Sequence, residues 1–194
     1  MAVHMHSTLD GRIANADGGF WEPFAWGQEE MAYLNQFFRS VDTWALSRTL
    51  YEAIVPWWDT VATGEIPDDA PAITAADREF AAMVSNMSKV VFSRTLSPAD
   101  DRVVISGHIA EQLAAVKQRP GKTILLSCGP ATLAPLARTP GLIDEYLIAV
   151  HPTAISAGPR LFDGLSAELA LRLLQAKVFE SGCLVLRYQV VSPR

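Results

Sequence analysis

Cysteine is almost missing from this sequence. Only Cys128 and Cys183 are present among 194 residues. They form no CxxC pair and no Cys/His cluster, which excludes a disulfide framework and a structural zinc site. Histidine is scarce too, with four residues. His4 and His6 have no further ligands nearby in sequence, so no metal site is expected. Basic runs are absent and the net charge is −5 with a pI near 5.3, which argues against nucleic acid as a partner. Long apolar runs are absent as well. The longest uncharged stretch, the 15 residues between Lys122 and Arg138, contains Gly129, Pro130 and Pro135, whereas a membrane span needs about 20 apolar residues. The opening MAVHMHSTLDGR lacks a charged segment followed by an apolar core. It reads as having no signal peptide, and a cytosolic protein with no membrane partner is expected.

What is present is a globular balance. Hydrophobic residues make up 49% and charged residues 19%, which is far from the composition of disorder. The length suits one domain spanning 1–194. The pattern predicts a strand over 2–9, ending at the turn Asp10-Gly11. Residues 15–27 form a loop that is unusually aromatic, with Phe20, Trp21, Phe24 and Trp26, and that is expected to pack over something. A helix over 29–39 carries Met31, Leu34, Phe37 and Phe38 on one face. A buried strand over 41–46 follows, then a second helix that should stop before Pro56, then a Pro/Asp/Gly-rich connection over 56–72. A third helix over 74–87 presents Phe80, Met83, Val84 and Met87. Beyond it come strands over 89–92 and 103–105, a helix over 109–117, a strand over 123–126, a helix over 130–137 with Pro130 at its first position and Gly141 as its cap, and a strand over 146–150. Segments 167–179 and 184–191 read as a hairpin turning near Ser181-Gly182. Alternating strands and helices predict an α/β class with a mostly parallel sheet, and the hairpin adds antiparallel strands at one edge.

Ligands of such sheets bind beyond the carboxyl ends of the strands. Three exits share a character. Ser47-Arg48-Thr49 begins a helix, and Thr49 with Glu52 fits a capping box. Ser93-Arg94-Thr95 again sets hydroxyls around an arginine. Ser127-Cys128-Gly129-Pro130 offers a glycine that lets backbone approach a diphosphate. Each taken singly is also an ordinary helix start or turn. Together they suit a ligand with several phosphates, such as a dinucleotide phosphorylated on its adenosine ribose. Neither GxGxxG nor GxxxxGK[ST] occurs, so this is neither a standard dinucleotide dehydrogenase nor a P-loop NTPase.

In order along the chain stand Ser7-Thr8-Leu9-Asp10-Gly11-Arg12-Ile13-Ala14, Ser47-Arg48-Thr49-Leu50-Tyr51-Glu52, Lys89-Val90-Val91-Phe92-Ser93-Arg94-Thr95-Leu96 and Cys128-Gly129-Pro130-Ala131-Thr132-Leu133. After them come Gly141-Leu142-Ile143-Asp144-Glu145, His151-Pro152 and Gly158-Pro159-Arg160-Leu161-Phe162. This ordered set resembles the dihydrofolate reductase-like superfamily, in the branch related to the reductase domain of riboflavin biosynthesis. The resemblance implies NADPH as cofactor, hydride transfer to a pteridine-, pyrimidine- or flavin-like heterocycle, and a homodimer joined through the C-terminal strands. It implies that Arg48 and Thr49 hold cofactor phosphate. Ser93, Arg94 and Thr95 would meet the adenosine ribose and its 2′-phosphate. Cys128, Gly129, Pro130, Ala131 and Thr132 would face the diphosphate. Ser47 and Cys128 stand where the family carries glycine. Ser127 stands where the riboflavin branch carries the glutamate of E-x-G, which counts against the riboflavin-pathway pyrimidine as substrate.

The resemblance also implies a carboxylate on the first helix that supports protonation of the heterocycle, and Glu30 matches it. His4 and His6 alternate on the first strand and so share a face. That face looks toward substrate and nicotinamide in the family, where His6 would relay a proton and His4 bind the heterocycle. Asp10 forms the D-G turn and closes the nearby loop beside the substrate. Trp57 with Trp58 either stacks on a flat substrate ring, fills the gap between helix and sheet, or makes a dimer contact. Two other readings share the fold: a non-catalytic nucleotide- or ligand-binding protein, and a stand-alone riboflavin-pathway pyrimidine reductase.

Overall fold

The structure, a computed structural model, describes residues 1–19, 23–24, 26–67 and 72–191. Phe20 and Trp21 of the aromatic loop, and residues 68–71 of the connection, lie outside the described residues. The fold is α/β: a central sheet flanked by helices and closed by an antiparallel hairpin. Strands β1 (Ala2–Thr8), β2 (Val41–Ser47), β3 (Ser88–Phe92), β4 (Arg102–Ile105), β5 (Thr123–Ser127), β6 (Glu145–His151), β7 (Leu171–Val178) and β8 (Leu184–Val190) follow the order β4-β3-β2-β5-β1-β6-β8-β7. The helices are α1 (Gln28–Phe38), α2 (Arg48–Ala62), α3 (Ala75–Asn86), α4 (Ile109–Lys117) and α5 (Pro130–Ala137). Among the described residues no helix is long and apolar enough to cross a membrane.

The chain divides into two compact units. The larger holds Met1–Ala25, His108–Arg119 and Leu125–Arg194. Its strand β1 pairs in parallel with β5 and β6, and six of its seven residues are buried. Its burial on both faces is that of a central parallel strand, although four of the seven residues, His4, His6, Ser7 and Thr8, are polar. Val3, Leu125, Leu126, Leu133, Leu136 and Tyr146 make its core, each 2% exposed or less. The hairpin β7–β8 then adds antiparallel pairing to β6.

The smaller unit holds Trp26–Gly107 and Pro120–Ile124. Its strands β2, β3 and β4 are parallel neighbours. An aromatic cluster fills its core: the Phe80 ring lies 4.9 Å from Phe38 and 4.7 Å from Trp58, both edge-on, the arrangement that ring quadrupoles prefer. Helix α3 begins with a capping box between Thr74 and Asp77.

Three local expectations need correction. Helix α2 runs through Pro56 instead of stopping before it. Its buried stripe Tyr51, Val55, Trp58 and Val61 continues on both sides of the proline, and that burial outweighs the lost backbone bond, a penalty of about 3 kcal/mol. Thr49 and Glu52 form no capping box. The helix begins directly off β2, so Ser47 is the cap residue, without a side-chain cap bond. Glu52 falls one turn after Arg48 and pairs with its Nε at 2.7 Å. Gly141 does not cap α5 either. Arg138 takes that place, and Gly141 supplies a positive φ of 69° in the turn that follows.

Candidate functional site

The phosphate corner of the smaller unit is built by strand register. Strands β2 and β3 run parallel with Ser47 facing Phe92, so the residues that follow them, Arg48 and Ser93, leave the sheet side by side. The Ser93 hydroxyl accepts the backbone N–H groups of Thr95 and Leu96 at 3.2 and 2.9 Å. That turn sets Thr95 beside Arg48, whose Nη1 donates to the Thr95 hydroxyl. Thr49 lies in the first turn of α2. Arg94 and Thr95 are exposed. Among the described residues Arg94 makes no hydrogen bond or ion pair, so its guanidinium is uncommitted. Two arginines and three hydroxyl residues at the adjacent ends of β2 and β3 form a donor set suited to a phosphate.

Two further predicted residues belong to this unit. Glu30 sits in the first turn of α1 and is 3% exposed. Gly27, the residue that caps α1, makes room for it: a Cβ there would stand 2.6 Å from the Glu30 carboxylate. Trp57 is half-buried on α2, edge-on to Trp58 at 4.6 Å. Trp58 itself belongs to the core.

The larger unit carries the other residues. Cys128 is fully buried, and burial pushes its thiol up to about 12, so it packs and does not react. Gly129 caps α5 with an extended backbone, and nothing lies within 4 Å of where its Cβ would be. Pro130 has no N–H, and helix geometry leaves the Ala131 N–H without an intrahelical partner. Thr132 already bonds back to the Gly129 carbonyl at 3.1 Å. This is an open cradle at the positive end of a helix, the shape and charge that a diphosphate fits. Ser127 is buried and its hydroxyl donates to the His4 carbonyl at 2.9 Å. No acid stands at that position.

His4 and His6 do share a face, with ring centroids 5.2 Å apart. The structure adds two members that were given no role from sequence. His151, at the end of β6, lies beside β1 and faces Thr8 in register. Its Nε2 is 3.0 Å from Nδ1 of His6. Phe24 of the aromatic loop packs 4.9 Å from His151 and 5.7 Å from His6. The signal for His151 was its place in the motif His151-Pro152. Its partner is 145 residues away in sequence, so nothing local could reveal the pairing. Burial holds the His4 imidazole down to about 4. Burial, and then the neighbouring imidazoles of His4 and His151, hold His6 well below the usual histidine range. The His4 and His6 rings are therefore neutral near pH 7, able to donate and to accept hydrogen bonds. Among the described residues no group of three or more His, Cys, Asp or Glu could hold a metal ion.

Asp10 is engaged within the chain. Its carboxylate accepts the Thr8 hydroxyl at 2.6 Å and the N–H groups of Ile155 and Ser156 at 3.3 and 3.1 Å. Those bonds, led by the Thr8 hydroxyl, hold its pKa below the ordinary aspartate value. Arg12 donates to the carbonyls of Gly158 and Ser156, and Arg160 Nε donates to the Asp10 carbonyl at 3.3 Å. The segments 7–14 and 158–162, far apart in sequence, are thus clasped together.

The model of the RibD C-terminal domain matches residues 1–185, and the chain belongs to that family. Uncharacterized protein YyaP of Bacillus subtilis (strain 168) is 26% identical over 189 residues, covering 97% of this chain and 91% of its own. Among solved structures, a protein named for riboflavin biosynthesis from Shewanella sp. PV-4 has a TM-score of 0.71 at 17% identity, with 98% of each chain covered. Dihydrofolate reductase from Enterococcus faecalis, complexed with NADP(H), has a TM-score of 0.64 at 12% identity, covering 98% of this chain and 96% of its own. At these identities the structural likeness establishes the fold.

Proposed function

We propose that this protein is an NADPH-dependent reductase acting on a pteridine-, pyrimidine- or flavin-like heterocycle. The observation that carries the reading is the corner at the ends of β2 and β3, where register brings Arg48 beside Ser93 and Thr95 and Arg94 keeps an uncommitted charge. That corner is assigned to the 2′-phosphate and adenosine ribose, with Thr49 beside it. The open start of α5 at Cys128, Gly129, Pro130, Ala131 and Thr132 is assigned to the diphosphate.

When bound, NADPH supplies the hydride. The chain supplies the rest: it orients the heterocycle, excludes water and manages one proton. On the larger unit, His4, His6 and the Asp10 turn are assigned to the heterocycle, with His6 as an acid–base group. On the smaller unit, Trp57 is assigned to substrate binding and Glu30, the buried carboxylate, to protonation. Ser127, spent on the His4 carbonyl, leaves no acid to grip a ribityl-pyrimidine, which favours another member of the heterocycle class. The reading carries with it a cytosolic homodimer joined through the hairpin, whose outer strand β7 leaves Leu173, Leu174 and Val178 exposed.

Thermal unfolding with each nucleotide tests the reading. NADPH is expected to raise the melting temperature and NADH to raise it less, since a ligand at 100 times its Kd adds about 2.7 kcal/mol of stability. Equal shifts with both, or none with either, overturn it.

A further inference from the structure

A groove of ≈ 490 Å³ opens in the smaller unit at the amino ends of its strands. Helix α3 forms one wall. Its residues Glu79, Ala82, Met83 and Asn86 stand three and four apart and so share a face, distinct from the buried stripe of Phe80, Ala81 and Val84. Phe38, Val41 and Met87 make an apolar floor, each 6% exposed or less. Arg39, Asp42 and Lys122 complete the lining. The phosphate corner lies at the far end of the same strands. Strand β2 leads from Val41 in the groove to Ser47 beside Arg48, about 20 Å at roughly 3.3 Å per residue. The groove is thus a second place on this unit, separate from the corner.

Its acids are spent on the chain. Asp42 accepts the Lys122 backbone N–H at 2.6 Å and the Thr43 hydroxyl at 3.0 Å. Gly121 makes room for that approach, since a Cβ there would stand 2.9 Å from the Asp42 carboxylate. Glu79 accepts Nε and Nη2 of Arg39 at 2.8 and 2.6 Å and the Asn35 amide at 3.4 Å. Asn86 turns back on its own helix, donating to the Ala82 carbonyl at 2.7 Å. The bases keep donors in reserve. Among the described residues Arg39 Nη1 has no acceptor, and Lys122 Nζ has one, the Arg39 carbonyl at 3.3 Å. Both side chains carry donors only. Spare cationic donors beside an apolar floor complement an anion with an apolar body.

We propose that this groove binds a small aromatic carboxylate, with its ring on Phe38, Met83 and Met87 and its carboxylate on Lys122 and Arg39 Nη1. The volume lies within the range of about 300–1,000 Å³ common to ligand sites, which are mostly apolar with a few placed polar groups. The two thioethers adapt to a ring and favour its edge. Glu79 holds the Arg39 fork in place, so Nη1 is presented to a carboxylate with little further ordering. The site is independent of the reductase reading and requires no nucleotide.

Carbon-13 methyl spectra of the intact, methionine-labelled protein, titrated with 2-naphthoate, test it. The chain has five methionines. Met83 and Met87 are expected to move together, with a Kd on the order of 1 mM, while Met1, Met5 and Met31, outside the groove, stay in place. Naphthalene-2-carboxamide has the same shape without the charge and should bind about three- to tenfold more weakly, the range one hydrogen bond spans. Lys122→Ala should erase that preference and Lys122→Arg should restore it. Ala82→Trp should abolish the shifts by filling the groove. Both positions are exposed, so the fold is retained.

Shifts confined to the other three methionines, no shifts, or equal binding of acid and amide overturn the proposal. So do shifts that persist in Ala82→Trp. Movement of Met83 and Met87 on diluting the protein with no probe present would give the groove to a second copy of the chain, and overturns it as well. No NADPH is added, so failure here leaves the thermal-shift test of the nucleotide corner untouched.

Discussion

Two arginines share the strand exits of the smaller unit, yet their charges are not equally available. Arg48 is bonded to Glu52 at 2.7 Å and donates to Thr95, so a phosphate would meet a partly neutralised group. Arg94 is exposed and uncommitted among the described residues. A hydrogen bond to a charged group contributes about 1.5–3 kcal/mol. Arg94→Ala is therefore expected to weaken NADPH by about 10- to 100-fold and to leave NADH nearly unchanged, as read by calorimetric titration. Equal losses for both nucleotides would remove Arg94 from the 2′-phosphate. The histidines show the same lesson: alternation put His4 and His6 on one face of a strand, but only pairing with β6 brought His151 to His6.

At the scale of elements, two glycines separate packing from function. Gly158 has a φ of 107°, and a Cβ there would stand 2.1 Å from the Ala14 carbonyl oxygen. Backbone cannot yield as a flexible side chain can, so Gly158→Ala combines strain with overlap, each about 1–3 kcal/mol. A fall of about 3 kcal/mol in unfolding free energy by urea titration is expected, because the clasp between segments 7–14 and 158–162 must open. Gly129 is the reverse case. Its φ is −72° and the Cβ position is empty. Gly129→Ala should leave stability within about 0.5 kcal/mol, as substitutions free of packing conflict do. It should lower NADPH affinity, since the added methyl occupies the cradle at the start of α5. An unchanged affinity would take the diphosphate away from this helix. Helix α2 makes a related point about elements: Pro56 predicts a stop, and the buried stripe on either side of it decides otherwise.

For the whole molecule, buried neutral imidazoles make stability depend on acid. His4 titrates at about 4 when folded, against 6.5 for the unperturbed group, and His6 lies well below 6.5 as well. Above pH 6.5 neither state binds a proton at these rings, and stability is at its full value. As pH falls below 6.5 the unfolded chain takes up protons that the native fold refuses, so stability drops until the folded value is reached. At about 1.4 kcal/mol per pH unit, His4 alone costs on the order of 3 kcal/mol by pH 4. Asp10, Asp101 and Asp144 are held below the ordinary aspartate value, chiefly by the Thr8 hydroxyl at Asp10, the Tyr51 hydroxyl at Asp101 and the Lys117 ammonium at Asp144. Their contributions are present above that value and are lost as pH falls through their folded pKa, so they add to the decline only below the histidine window. Urea midpoints should fall steadily between pH 6.5 and 4, and His4→Phe should flatten the slope. A flat wild-type profile across that window would contradict neutral burial of the imidazoles.

The order of strands and helices, the parallel class with its closing hairpin, and the clustering of hydroxyl and guanidinium groups at strand ends were determined by the sequence itself. They follow from side-chain periodicity and from turn chemistry, which act over a few residues. Tertiary structure alone decided which distant residues meet. Pairing of β1 with β6 set His151 against His6, the clasp joined Asp10 and Arg12 to residues 155–160, and packing carried α2 past its proline. Those outcomes depend on register and burial between segments up to 150 residues apart, and one-dimensional spacing carries no record of such contacts.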